Sequence, residues 1–200
     1  MRRPLLATLL VAGMLATIVA AADDPKAVVQ RTSDQVIAVL KDGSLSSDTK
    51  RTKVEQVVLS SVDFPALSRL VLARNWSKFS PAQQQEFVQE FQRHLSATYG
   101  KRLDEYRNEN LQIVGDRQES NGDWTVKSII VRGGGNDVTV DYRLRQSDGQ
   151  WKIIDFIIER VSLVANFRSQ FQDIVANGGP ERLLTLLREK TAKGEPLSAS

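Results

Sequence analysis

Three carboxylates, Asp141, Asp155 and Glu159, fall close together in the chain. Acids grouped in this way can move protons when one of them sits in an apolar pocket. Asp155 is the most suggestive, because Ile153, Ile154, Phe156 and Ile157 flank it on both parities of a strand, a pattern that predicts burial. The competing reading is a structural aspartate satisfied by hydrogen bonds, the commoner fate of a buried carboxylate. His94 is the single histidine. It lies three residues after Phe91 with no nucleophile at a recognisable spacing, and reads as a partly buried structural residue. Gly133-Gly134-Gly135 stands between two strand patterns, so it predicts a hairpin turn rather than a phosphate loop opening a helix. Cysteine is absent. Thiolate metal sites, cysteine nucleophiles, disulfides and a cysteine-linked lipid anchor are thereby excluded, and one histidine cannot build a multi-histidine zinc site. Chemistry has to come from carboxylates, hydroxyls or shape.

These side chains are positioned by an alternation of helices and strands. Asp23-Asp24-Pro25 predicts a helix start, followed by Val29, Val36, Ile37 and Leu40 at helical spacing and a stop at Gly43. A polar loop over 42–50 precedes a short helix with Val54, Val57 and Val58, and Phe64-Pro65 opens a third with Leu67, Leu70 and Val71. Ser80-Pro81-Ala82-Gln83 has the form of a capping box with proline at the first helical position. Behind it Phe87, Phe91, Leu95, Tyr99, Leu103 and Tyr106 form an apolar, largely aromatic line on one helix. From Leu111 the period changes to two. Turn signals at Asn121-Gly122, at the three glycines and at Asp148-Gly149 delimit four antiparallel strands near 111–117, 124–132, 137–145 and 151–159. A last helical section carries Val164, Phe167, Phe171 and Ile174, breaks at Asn177-Gly178-Gly179, and restarts at Pro180 with Leu183, Leu184 and Leu187. The tail from Thr191 is polar. Helices, then a meander, then helices predict an α+β fold whose helices cover the apolar sheet face.

The chain has 200 residues, 27 Lys and Arg against 24 Asp and Glu, and 41% hydrophobic residues. Arg2 and Arg3 precede an apolar run from Leu5 to Val19 and then Ala20-Ala21-Ala22. The run is too short to span a bilayer comfortably and ends in small residues, which predicts a signal peptide over 1–22 and a single domain over 23–200. Without the two leader arginines, the basic residues exceed the acids by one. That near-neutral balance does not argue for nucleic acid as a partner. Periodicity leaves one matter open, since the same stripes would line a filled core or a hollow one.

Several segments carry a family resemblance: Val71-Leu72-Ala73-Arg74-Asn75-Trp76, Ser80-Pro81 through Phe87 and Phe91, Gly149-Gln150-Trp151-Lys152-Ile153, and above all Glu159 to Phe171, read as ERVSLVANFRSQF. Together, over about residues 26–190, they resemble the MlaC (toluene-tolerance) family of periplasmic phospholipid-binding proteins. Two departures are visible. The family pattern has glycine where Arg160 stands and tyrosine where Phe167 stands, and Arg160 replaces a permissive glycine at a strand-to-helix junction.

The resemblance implies an NTF2-like α+β fold in which a four-stranded antiparallel sheet wrapped by helices encloses an apolar lipid cavity. It implies a periplasmic carrier without enzymatic activity or cofactor, holding phospholipid as cargo. Its partners would be an outer-membrane lipoprotein complex and an inner-membrane ABC transporter with an MCE-domain ring. A polycyclic lipid such as a hopanoid is an alternative cargo. An NTF2-like enzyme built on Asp155 and a purely structural adaptor are the competing functions. On the carrier reading the cavity wall is expected among Trp76, Phe87, Phe91, Leu95, Tyr99, Val140, Tyr142, Ile153, Phe156, Val161, Leu163, Phe167 and Phe171. Arg160 and Arg168 are candidates for a headgroup or a partner contact.

Overall fold

The helix starts written in the sequence are built as hydrogen bonds. In the computed structural model, which describes residues 24–100, 108–133 and 135–197, Asp24 caps helix α1 (Pro25–Lys41) and Ser46 caps α2 (Ser47–Ser61). Asp63 caps α3 (Phe64–Leu72), which runs into a 3₁₀ turn over Ala73–Lys78. Helix α4 (Pro81–Tyr99) begins with the full reciprocal box: Ser80 Oγ accepts from Gln83 N–H, and the Gln83 side chain accepts from Ser80 N–H. Leu103 and Tyr106 of the apolar line, Gly134, and the segment 1–22 expected to be a signal peptide lie outside the described residues.

Strands β1 (Asn110–Gln118), β2 (Trp124–Val131), β3 (Val138–Ser147) and β4 (Gln150–Ile158) follow as an antiparallel meander. The expected four strands are joined by a fifth, β5 (Val161–Ser162), in the short stretch between the fourth strand and the last helix. Its two residues pair with the end of β4, Ile158 opposite Val161 and Ile157 opposite Ser162. A strand this short has no period to detect.

Two register shifts bend the sheet, one between Ile113 and Gly115 and one between Arg143 and Leu144. The second sets Asp155 opposite Arg143 and Ile153 opposite Leu144, leaving Ile154 as the extra residue. This accounts for apolar residues on both parities of β4, where Ile153, Ile154 and Asp155 are all buried.

Helix α5 (Leu163–Lys193) completes the fold. It is broken where Asn177-Gly178-Gly179-Pro180 predicts: Gly179 has φ +70° and ψ −175°, and the chain resumes helical geometry behind Pro180. Helix α1 packs on β1, β2 and β4, while α3 and α5 pack on β4. Helix α4 lies against α3 and α5, and α2 lies against α1. The α+β, NTF2-like arrangement of helices around a curved sheet is thus present, with five strands instead of four.

Candidate functional site

One helix serves two interiors. The first half of α4 meets the first half of α5 through phenylalanines. Phe87 stacks on Phe91 at 5.5 Å between ring centroids, and Phe91 meets Phe167 and Phe171 edge-on at 5.0 and 5.5 Å. Phe79 closes the end against Phe87 at 5.8 Å. Phe87, Phe91 and Phe171 are wholly inaccessible, so this region is a filled core.

The second half of α4 faces a cavity of about 1010 Å³, at the upper end of the range of small-molecule sites. Leu95, Ser96, Ala97, Tyr99 and Gly100 form one wall. Opposite stand Val54 and Val58 of α2, then Val62, Phe64 and Leu67 at the junction with α3. The sheet contributes Phe156 and Ile158, and the β5–α5 junction adds Val161, Leu163 and Asn166. The end of α5 closes the ring with Thr191, Ala192, Lys193 and Gly194. Arg51, Glu55 and Arg93 are the other charged residues of the wall. Glu55 accepts a hydrogen bond from Ser96 Oγ at 2.8 Å, tying α2 to α4 across the opening. Tyr99, Ile158 and Val161 are exposed as well as part of the wall, so the apolar lining continues out over the lip.

Of the thirteen residues expected in a cavity wall, Leu95, Tyr99, Phe156, Val161 and Leu163 lie in it. Phe87, Phe91, Phe167 and Phe171 belong to the aromatic core, and Ile153 is buried on β4. Tyr142 stands behind the wall, edge-on to Phe156 at 5.6 Å; burial pushes its phenol up to about 12. Val140 is buried on β3. Trp76 sits on the 3₁₀ turn, its ring 5.5 Å from the Arg69 guanidinium. Arg168 donates from Nε and Nη2 to the Leu70 carbonyl, at 3.0 and 2.7 Å, near the C-terminal end of α3. Arg160 projects from the turn beside the cavity lip, between Ile158 and Val161.

The candidate catalytic groups all stand outside the wall. Asp155 accepts from Ser162 Oγ at 2.6 Å and from Val164 N–H at 3.0 Å, with Arg143 Nη1 at 4.0 Å. It therefore holds the β5–α5 junction that feeds Val161 and Leu163 into the cavity. Glu159 accepts from Thr139 N–H and Oγ1, which holds its carboxyl below the usual range. Asp141 lies half-buried on β3. His94 is buried behind the wall, its Nδ1 3.4 Å from Thr191 Oγ1, and burial lowers its pKa. Among the described residues no cluster of acids and histidine has the geometry to hold a metal, and no helix is long and apolar enough to cross a membrane.

The valines of α2 and the tail of α5 were not legible as cavity residues. Val54 and Val58 are four apart, as any core pair would be, and residues 191–194 read as a polar tail. Val54, Val58, Ala192 and Gly194 share small size, which only the opposing surface gives meaning.

Residues 30–189 match the sequence model of the MlaC protein family. The chain is 28% identical over 184 residues to toluene tolerance protein Ttg2D of Pseudomonas putida, covering 90% of this chain and 84% of that protein. It is 20% identical over 195 residues to the intermembrane phospholipid transport system binding protein MlaC of Haemophilus influenzae, covering 93% and 91%. A solved phospholipid-binding protein from Ralstonia solanacearum, in complex with a phospholipid, superposes with a TM-score of 0.78 at 28% identity, over 86% of this chain and 99% of that one.

Proposed function

The chain belongs to the MlaC family, and on that premise we propose that it is a periplasmic carrier whose 1010 Å³ cavity holds the acyl chains of a phospholipid. The observation that carries the reading is the coincidence of a large, predominantly apolar cavity with the fold of a protein solved with a phospholipid bound. Leu95, Tyr99, Phe156, Val161 and Leu163 would touch the tails, with Val54, Val58 and Val62 facing them.

The energetics suit carriage. Each methylene removed from water contributes about 0.8 kcal/mol, so two chains of roughly 30 methylenes gain on the order of 20 kcal/mol. That approaches the practical ceiling of noncovalent affinity. A membrane offers the tails nearly the same gain, so exchange between carrier and bilayer is close to balanced. A cavity walled largely by valine, leucine and the two phenylalanines Phe64 and Phe156 supplies this non-directional stabilisation without reading chain structure in detail. No bond need be made or broken and no cofactor is called for. In support, Glu55 is the one acid in the wall among the described residues, while Asp141, Asp155, Glu159 and His94 stand outside it. The shuttle would run between an outer-membrane lipoprotein complex and an inner-membrane MCE-domain ABC transporter.

Native mass spectrometry of the chain purified without its leader tests the carrier function. Co-purified phospholipid, removed by organic extraction and regained from vesicles, is the expected result. A chain that carries no lipid and takes none from vesicles overturns it.

A further inference from the structure

The two-residue turn between β4 and β5 places Glu159 and Arg160 in left-handed backbone, with φ of +48° and +68°. Both central residues of a two-residue hairpin turn of this kind want glycine, asparagine or aspartate, because a larger side chain strains there. Glu159 has a local reason to accept the strain, since its carboxylate anchors on Thr139 N–H at 2.6 Å and Thr139 Oγ1 at 3.0 Å. Arg160 has no such hydrogen-bonded anchor: it is exposed, and its electrostatic partner among the described residues is the adjacent Glu159 carboxylate. Its neighbours in the hairpin, Ile158 and Val161, both line the cavity. A strained, unanchored cation at the lip of a cavity is an outlier of the sort that gathers at ligand sites.

The charge around the opening has the same sign. The wall holds Arg51, Arg93 and Lys193 against Glu55. Arg51 pairs with Asp48 at 3.0 Å and Arg93 with Glu90 at 2.7 Å, so each already faces a carboxylate. Glu55 is engaged by Ser96. Glu195, next to Lys193, pairs with Lys190. Among the described residues, Arg160, beside Glu159, and Lys193, beside Glu195, are therefore the cations at the opening that form no close ion pair and can meet an incoming anion.

We propose that Arg160, with Lys193 beside the same opening, reads the charge of the headgroup and biases the cargo toward glycerophospholipids of net negative charge over zwitterionic ones. This rests on the carrier function above. Tails buried in the cavity leave the headgroup at the wet lip, where the guanidinium can present two N–H donors to a phosphate. The phosphate is common to both lipid classes. Discrimination comes from the rest of the headgroup, because a quaternary ammonium brought to a cationic lip is repelled. The lip is solvated and screened, so the bias is a few-fold and falls with salt.

The test loads lipid-stripped chain from vesicles holding equal amounts of phosphatidylglycerol and phosphatidylcholine with matched acyl chains, then measures the ratio extracted from the re-isolated protein. The wild type is expected to hold about threefold more phosphatidylglycerol at low salt, consistent with the modest worth of exposed charge pairs. Arg160→Lys should keep most of that ratio. Arg160→Gly, which relieves backbone strain and so does not threaten folding, should lose at least half of it, as should the wild type in roughly 0.5 M salt. Equal ratios for the wild type and Arg160→Gly overturn the inference while leaving the carrier function standing. A wild type that loads neither lipid overturns both.

Discussion

The two halves of α4 offer apolar residues at the same four-residue spacing, yet one half is packed solid and the other lines a hollow. Phe87 and Phe91 look across at Phe167 and Phe171, whose rings fill the space between helices. Leu95 and Tyr99 look across at Val54, Val58 and Val62, and at Ala192 and Gly194, whose side chains are short. An interior is close-packed only where facing side chains are long enough to meet. Where they are not, and the backbone around them is held elsewhere, a cavity survives. The aromatic core is what holds it, fixing α4 on the first half of α5, while beyond the break at Gly179 the end of α5 returns to α4 at His94 and closes the ring.

That contrast can be broken from either side. Phe91→Ala should cost about 3–5 kcal/mol, since it opens a void among rings that have no slack. Leu95→Ala, one turn further along the helix, should cost about 1 kcal/mol or less, because its surroundings are already open. Chemical denaturation of the two variants compares them directly, and equal costs would show that the two interiors do not differ in packing. Filling the hollow makes the opposite test. Val58→Trp should reduce the phospholipid seen by native mass spectrometry about tenfold while leaving the denaturation midpoint close to that of the wild type, since one added indole occupies space that no protein atom uses.

A smaller effect belongs to the lip. Arg160→Gly should stabilise the chain by about 1 kcal/mol, the usual cost of a left-handed non-glycine residue, and raise the thermal midpoint by roughly 2–4 °C. The subtlest effect belongs to His94, which touches the aromatic core through Phe167 and the cavity through Thr191. Burial sets its folded-state pKa below the unfolded value of 6.5. As pH falls below that value, the unfolded chain takes up the proton before the folded one does, so folding stability declines; above it both states are neutral and the contribution is flat. Thermal midpoints measured from pH 7.5 down to 5.0 should fall for the wild type and fall less for His94→Gln, before the carboxylates begin to titrate.

Much of the framework was legible in the residues. The capping box at Ser80, the turn at Asp148-Gly149 and the break at Gly179 are local devices, in which a side chain or a missing Cβ decides the backbone within a few positions. Strand β5 escaped because two residues carry no period. Asp155 was legible as buried but not as the group that ties down the start of α5, because its partners Ser162 and Val164 come within reach only after the chain turns at Glu159-Arg160. The aromatic residues were legible as interior, and eight of the thirteen expected in the cavity wall turned out to stand elsewhere in the fold.

By itself the sequence determined which faces leave water, where helices begin and stop, and, through the run from Glu159 to Phe171, which family the chain resembles. Only the tertiary structure decided where the hollow lies. Hydrophobic periodicity records that a side chain points away from solvent, and it is silent on what stands opposite. Whether the space beyond Leu95 is protein or void depends on valines some forty residues earlier and a glycine nearly a hundred residues later, and on the distance at which a distant cluster of phenylalanine rings holds their helices apart.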